Sequence, residues 1–180
     1  IFVHGGMAHA EWWNFIGPYF VKTHRVIAMN LGGMGDSEWK KKYSIESWGD
    51  EIVGVCKKEK LNKPILVGHS LGGMCSVLAA SSMRKTLYGL VIVDTAIMPP
   101  SEKPPKFDLK IRANNVYKKQ SDIRNRFRLV PSQSDALDYE MDYIAEKSIK
   151  TVRGGWTWKF DPNYMRIFNS DSFAERQATY

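Results

Sequence analysis

The stretch that decides the fold is Ile65-Leu66-Val67-Gly68-His69-Ser70-Leu71-Gly72-Gly73. An apolar run begins after Pro64, meets a glycine, sets a serine between His69 and Leu71, and leaves through two more glycines. A short apolar run bounded by turn residues reads as a buried strand. Beyond Ser70, the spacing of Leu71, Met74 and Leu78, with the small Ala79 and Ala80, reads as a helix. A strand that turns at once into a helix forces its apex residue into a strained backbone conformation. Side chains flanking the apex would strike the neighbouring strand and helix. Gly68 and Gly72 meet that demand on either side of Ser70. The hydroxyl is then expected to stand clear of the sheet at a helix N-terminus, where free N–H groups and the helix dipole favour negative charge.

With Gly at about 7% of residues and Ser taken as similar, Gly-x-Ser-x-Gly arises by chance roughly 0.06 times in a chain of this length. The motif gains its weight from standing between a strand and a helix. A phosphate-binding loop is the competing reading of such a turn. That loop needs a Lys followed by Ser or Thr, and here Met74 and Cys75 follow Gly73. A second glycine loop, His4-Gly5-Gly6, closes the run Ile1-Phe2-Val3. Beside the serine turn, a backbone N–H of this loop, together with that of Leu71, would stabilise the oxyanion formed when Ser70 attacks a carbonyl. A plain turn after a strand is the simpler account of His-Gly-Gly taken alone.

Outward from these loops the chain alternates strand and helix. "HRVIAMN" (24–30) reads as a short buried strand, and "GLVIVD" (89–94) as another. Ser44 is placed to cap a helix whose apolar face is Ile45, Trp48, Ile52, Val55 and Cys56. Residues 10–21 look helical but are interrupted at Gly17-Pro18. Such alternation predicts a parallel sheet covered on both faces. It breaks at Met98-Pro99-Pro100, after which two helices are expected at about 107–128 and 134–150, followed by "GGWTWKFDP" (154–162) and no further strand of the core type.

The 180 residues suit one domain of ordinary size, with 43% apolar and 25% charged residues. There is no run of 18 uncharged apolar residues, hence no membrane span, and no visible secretory signal; a cytoplasmic location is expected. The net charge of +7 is divided about evenly along the chain. A nucleic-acid binder concentrates its charge, so nucleic acid is not expected as a partner and the lysine runs read as solvated faces. Cys56 and Cys75 read as buried free thiols, with neither a disulfide framework nor a metal spacing.

"IFVHGG", "VIAMNLGGMGDS", "ILVGHSLGG" and "GLVIVD", in this order and spacing, resemble the α/β-hydrolase superfamily, and within it the bacterial esterase-like hydrolases with a helical cap. The resemblance implies an α/β fold in which residues 1–98 supply the third to sixth strands of a mostly parallel sheet flanked by helices. Residues 99–180 would then form a helical cap insertion. It also implies a chain that starts inside a strand and a core that continues after Tyr180. Ser70 matches the family's nucleophile, and Gly6 and Leu71 match its oxyanion donors. Met34 stands where the family's Gly-x-Gly loop usually has a His, and Asp36 and Ser37 are expected to be turn residues. Asp94, ending the sixth strand, is a candidate for the catalytic acid. The family orders its triad Ser, acid, His. The four histidines are His4, His9, His24 and His69, so the resemblance places the base beyond Tyr180.

His4, Gly5 and His9 are expected to line the substrate pocket. Trp156, Trp158 and Phe160 alternate, so an extended segment would turn all three to one side as an aromatic wall for an apolar substrate; packing of the cap on the sheet is the competing account. Trp12 and Trp13 follow the first glycine loop and could approach the same cavity. No residue implies a cofactor or metal. A serine nucleophile argues against the epoxide hydrolases and dehalogenases of this fold, which use Asp. The expected function is thus a serine hydrolase acting on a small apolar carboxylic ester or related acyl substrate. A lyase or acyltransferase with the same constellation, and a catalytically silent binding protein, are the alternatives.

Overall fold

The computed structural model describes residues 1–95 and 115–168. Four parallel strands form the central sheet, in the order β2-β1-β3-β4, where β1 is Phe2–Val3, β2 is Ala28–Met29, β3 is Ile65–His69 and β4 is Gly89–Val93. Parallel neighbours need crossovers. Helix α1 (Ile45–Lys58) joins β2 to β3, and α2 (Leu71–Ser82) joins β3 to β4. The α/β architecture is therefore as the alternating sequence predicts. The strand expected over 24–30 is paired only at Ala28 and Met29.

Helix α1 begins where the sequence places its cap. The Ser47 N–H donates to the Ser44 hydroxyl at 3.1 Å, and the Ser47 hydroxyl receives the Ser44 N–H at 3.3 Å. This reciprocal pair satisfies two end donors that the helix leaves open. Ile45, Trp48, Ile52 and Cys56 face inward as their spacing predicts. They join Val3, Leu31, Met34, Leu66, Leu71 and Cys75 in one core. Each such large side chain stabilises the fold by roughly 1.5–3 kcal/mol on burial. Trp48 also donates its indole N–H to the Gly32 carbonyl at 3.0 Å. The helix-like stretch after the first loop consists of two 3-10 turns, Ala10–Phe15 and Gly17–Phe20, with Pro18 in the first turn of the second. Cys56 and Cys75 are buried free thiols.

The second half departs from an all-helical reading. The expected boundary at 98–99 and residues 107–114 of the first expected helix lie outside the described residues. Of that helix, only α3 (Gln120–Arg124) is formed among residues 115–128. The second expected helix is α4 (Asp138–Lys147), and the chain then turns into an antiparallel hairpin, β5 (Ile149–Val152) with β6 (Gly155–Trp158). Gly154 at φ +93° and Gly155 at φ +151° make the reversal that L side chains rarely adopt. Tyr117 pairs with Trp156 at the open edge of β6. Phe160 pairs with Met34, so the hairpin's tail is stitched to the loop after β2. A last 3-10 turn, Pro162–Ile167, is capped by Asp161, whose carboxylate accepts the Asn163 N–H at 2.9 Å.

Candidate active site

Ser70 stands at the bend between β3 and α2 with φ +51° and ψ −121°, a left-handed conformation that costs a non-glycine residue on the order of 1–3 kcal/mol. The surroundings hold it there. Its N–H donates to the Val93 carbonyl at 3.1 Å, and its own carbonyl accepts the Gly73 N–H at 2.9 Å and the Thr95 hydroxyl at 3.1 Å. A Cβ at Gly68 would stand 2.5 Å from the Gly72 oxygen and 2.6 Å from the Ser76 hydroxyl. One at Gly72 would strike the carbonyls of Val3 and His4, and one at Gly73 the Thr95 side chain. The space that side chains at these three glycines would need is thus taken, by backbone at Gly68 and Gly72 and by the Thr95 side chain at Gly73.

The first glycine loop lies against this bend. A Cβ on Gly5 would be 3.2 Å from Ser70 Cβ and 3.0 Å from His69 Nδ1. His4 is buried, at 1% exposure. Its Nδ1–H donates to the Gly5 carbonyl at 2.7 Å and its Nε2 accepts the Leu31 N–H at 3.1 Å, which ties β1 to the loop after β2. Burial pushes its pKa down to about 4, so the ring is neutral as both bonds require. Behind Gly6 sits Tyr164, a residue not singled out in the sequence. Its phenol oxygen would be 2.7 Å from a Gly6 Cβ. Met7, next in line, has φ +60°.

His9 is also buried, at 3% exposure. Its Nε2–H donates to the Ser148 hydroxyl at 3.0 Å, whose hydrogen goes to the Ile144 carbonyl at 2.7 Å. Burial, aided by the Lys159 cation, lowers its pKa to about 4. His9 thus joins the glycine-loop segment to the end of α4. His24 is on the surface beside the Thr23 hydroxyl. Burial lowers the pKa of His69, opposed by the charge of Asp94. Asp94 follows β4 at φ +43°, exposed, between the two residues that bond the Ser70 backbone.

The expected aromatic wall is divided. Trp156 and Trp158 are half-buried while Thr157 faces inward. Trp158 meets Phe127 at 6.4 Å between ring centres, Phe127 meets Trp12 at 6.4 Å, and Trp12 meets His9 at 6.4 Å. Phe160 instead packs on the core, because β6 ends at Trp158 and the chain is drawn toward Met34. Beside Trp12 opens a cleft of about 260 Å³, also lined by Leu129, Met141, Ile144 and Glu140. The basic stretch 118–128 is a surface: Arg124 pairs with Asp142 at 2.8 Å and Arg126 lies over the Tyr117 ring. Asp36 pairs with Lys159 at 2.7 Å, and the Ser37 hydroxyl bonds the Asn30 carbonyl, as turn residues do. Met34 is buried in the core.

Comparison with known proteins identifies the fold. The family model of the alpha/beta hydrolase fold matches residues 1–170. This chain belongs to the α/β-hydrolase family. Among characterised relatives, an esterase of Mycobacterium tuberculosis is 23% identical over 175 residues, covering 89% of this chain and 56% of that protein. The 2-hydroxymuconate semialdehyde hydrolase of a Pseudomonas strain is 31% identical over 99 residues, covering 52% and 35%. An alpha/beta hydrolase crystal structure from Novosphingobium aromaticivorans superposes with a TM-score of 0.73 at 15% identity, covering 94% of this chain and 61% of that one. The α/β-hydrolase chain thus spans only part of the length of the relatives it matches. Among its described residues, no helix is long and apolar enough to cross a membrane.

What the sequence reading of this α/β-hydrolase chain missed are the late residues that reach back: Ser148, Asp161 and Tyr164. Asp161 carries a local signal, an Asp immediately before a Pro, which is a helix-cap pattern. Ser148 and Tyr164 carry none, because their partners lie 139 residues away for Ser148 and at the chain's start for Tyr164.

Proposed function

We propose that this chain carries the nucleophile and the oxyanion hole of a serine hydrolase acting on a small apolar carboxylic ester or related acyl group. The observation that carries the reading is Ser70 at φ +51° on a strand-to-helix bend, with the His4–Gly6 loop against its Cβ. A carboxylic ester needs a nucleophile to attack its carbonyl carbon and donors for the oxygen that becomes negative. Ser70 Oγ is assigned the attack, and the backbone N–H groups of Gly6 and Leu71 the oxyanion. Attack forms the Oγ–C bond, collapse expels the alcohol and leaves an acyl-serine, and water then releases the acid.

The proton of Ser70 requires a base. His4 and His9 have their Nε2 atoms committed to Leu31 and Ser148, and His24 lies beside Thr23. His69 is held by the strand at the foot of the bend. The base is therefore assigned to a histidine other than these four. Asp94, one residue past the partner of the Ser70 N–H, is the candidate acid of this reading. The names of the esterase and hydrolase relatives support hydrolysis over lyase chemistry. The aromatic line from Trp158 to Trp12 supports an apolar substrate.

A fluorophosphonate probe tests the reading on the whole protein. Labelling at Ser70, abolished in Ser70→Ala, is the expected result; labelling elsewhere or none overturns it. Ser70→Ala is expected to lower kcat by at least about 10⁴-fold. Adding a competing alcohol separates hydrolysis from acyl transfer: free acid as the main product supports the hydrolase, and a new ester the transferase.

A further inference from the structure

Two residues from the end of the described chain grip the glycine loop from behind, and they do different things. His9–Ser148 lies past the loop and fixes where the segment leaves. Tyr164 lies at the loop itself. It is 1% exposed and stands edge-on to Trp48 at 6.1 Å between ring centres, so its hydroxyl has little freedom to move. The hydroxyl fills the space that a Cβ on Gly6 would occupy. Gly6 does not have a left-handed φ. Its lack of a side chain is therefore set by Tyr164 and not by backbone conformation.

We infer that Tyr164 is a positioning residue for the oxyanion loop, its phenol oxygen seated against Gly6 so that the Gly6 N–H keeps one direction. This rests on the assignment of Gly6 as an oxyanion donor. The backbone of Met7, at φ +60°, lies beside the same phenol oxygen, so the oxygen borders the peptide that follows Gly6. Tyr164 sits in the 3-10 turn capped by Asp161, and Asp161 is bonded to the Gly33 carbonyl and to Tyr43. The loop's direction is thus set by a segment nearly the whole chain away. Without the hydroxyl the loop retains its anchors at His4 and His9 but loses its backstop. A donor displaced by a fraction of an ångström serves the tetrahedral oxyanion worse than it serves the ground state.

Three variants of the whole protein test this. Tyr164→Phe keeps the ring and deletes only the oxygen. It is expected to lower kcat about 10- to 100-fold with KM little changed, and to weaken binding of an aryl boronic acid, a tetrahedral mimic, by the same factor. A role in packing alone would lower thermal stability and leave the boronic acid affinity intact. Gly6→Ala should be worse than Tyr164→Phe, because the new methyl meets the phenol oxygen. In the double variant the methyl faces ring carbons at 3.5 and 3.7 Å, an ordinary contact, so the two losses should not multiply. Losses that multiply, or a Tyr164→Phe enzyme with parental kcat and boronic acid affinity, overturn the inference. Fluorophosphonate labelling of the parent separates the two assignments. A parent labelled at Ser70 with an unaffected Tyr164→Phe sinks the positioning role alone, whereas an unlabelled parent sinks the serine assignment and this one with it.

Discussion

Gly54 and Gly72 are both helical, yet a methyl group would have opposite effects at the two. At Gly72 the methyl would enter the Val3 and His4 carbonyls, neither of which can move without breaking the sheet. Gly72→Ala is expected to cost at least about 3 kcal/mol. At Gly54, on the exposed side of α1, a Cβ meets nothing within 4 Å, so Gly54→Ala should stabilise by about 0.5–1 kcal/mol. Urea unfolding of the two variants checks both signs. His4 and His9 make stability depend on pH. Each has a folded pKa near 4, below the 6.5 of an unfolded histidine. Between those values the unfolded chain binds more protons. The stabilisation is complete above about pH 6.5 and is lost as pH falls toward 4, at up to about 1.4 kcal/mol per pH unit for each ring. The melting temperature should fall over that window, and less steeply in His9→Gln. Ser70 and its glycines were legible in the sequence, because the constraints on them are local; His4, expected in the substrate pocket, is instead buried and bonded to Gly5 and Leu31, a partner 27 residues away.

Among the elements, α1 and α2 follow from the sequence almost residue by residue, since the Ser44 cap and the inward spacing of Ile45, Trp48 and Ile52 are short-range signals. The hairpin does not. Its strands are four residues each, the larger side chains Trp156 and Trp158 stay half-exposed, and the small Thr157 is the residue turned inward. Burial pattern therefore misleads there, and the antiparallel pairing comes from the Gly154-Gly155 reversal. The turn after the hairpin is held by Asp161, 2% exposed, which accepts the Tyr43 hydroxyl at 2.8 Å and the Asn163 N–H. Burial, with Asp161 beside it, pushes the Tyr43 phenol up to about 12. Tyr43→Phe leaves the Asp161 oxygen and the Lys40 N–H without this partner. A loss of about 1–3 kcal/mol is expected. The shift should appear in thermal melts, and hydrogen exchange should quicken over 160–167 before it does over α1.

For the molecule as a whole, the parallel order β2-β1-β3-β4 was legible as a class from the strand–helix alternation. The attachment of its second half was not, because every tie is long-range: Met34 with Phe160, His9 with Ser148, Gly33 with Asp161. Among the described residues, β2 and β4 each pair on one side only. Tyr88, Val91 and Val93 on and beside β4 are exposed, as are Ile16, Tyr19, Phe20 and Val21. Unpaired edges beside apolar surface invite association. Residues 1–180 expressed alone should therefore self-associate at micromolar concentration, and Val93→Lys should lessen it; sedimentation of the two proteins checks this.

The dependence of Gly6 on Tyr164, and of the Gly33 loop on Asp161, has a bearing on biosynthesis. A ribosome delivers Ser70 and its glycines long before residues 148–164 emerge. Until they do, the nascent polypeptide holds Ser70 beside a glycine loop whose rear support is missing, so that loop should take its final place abruptly, when residues 148–164 dock.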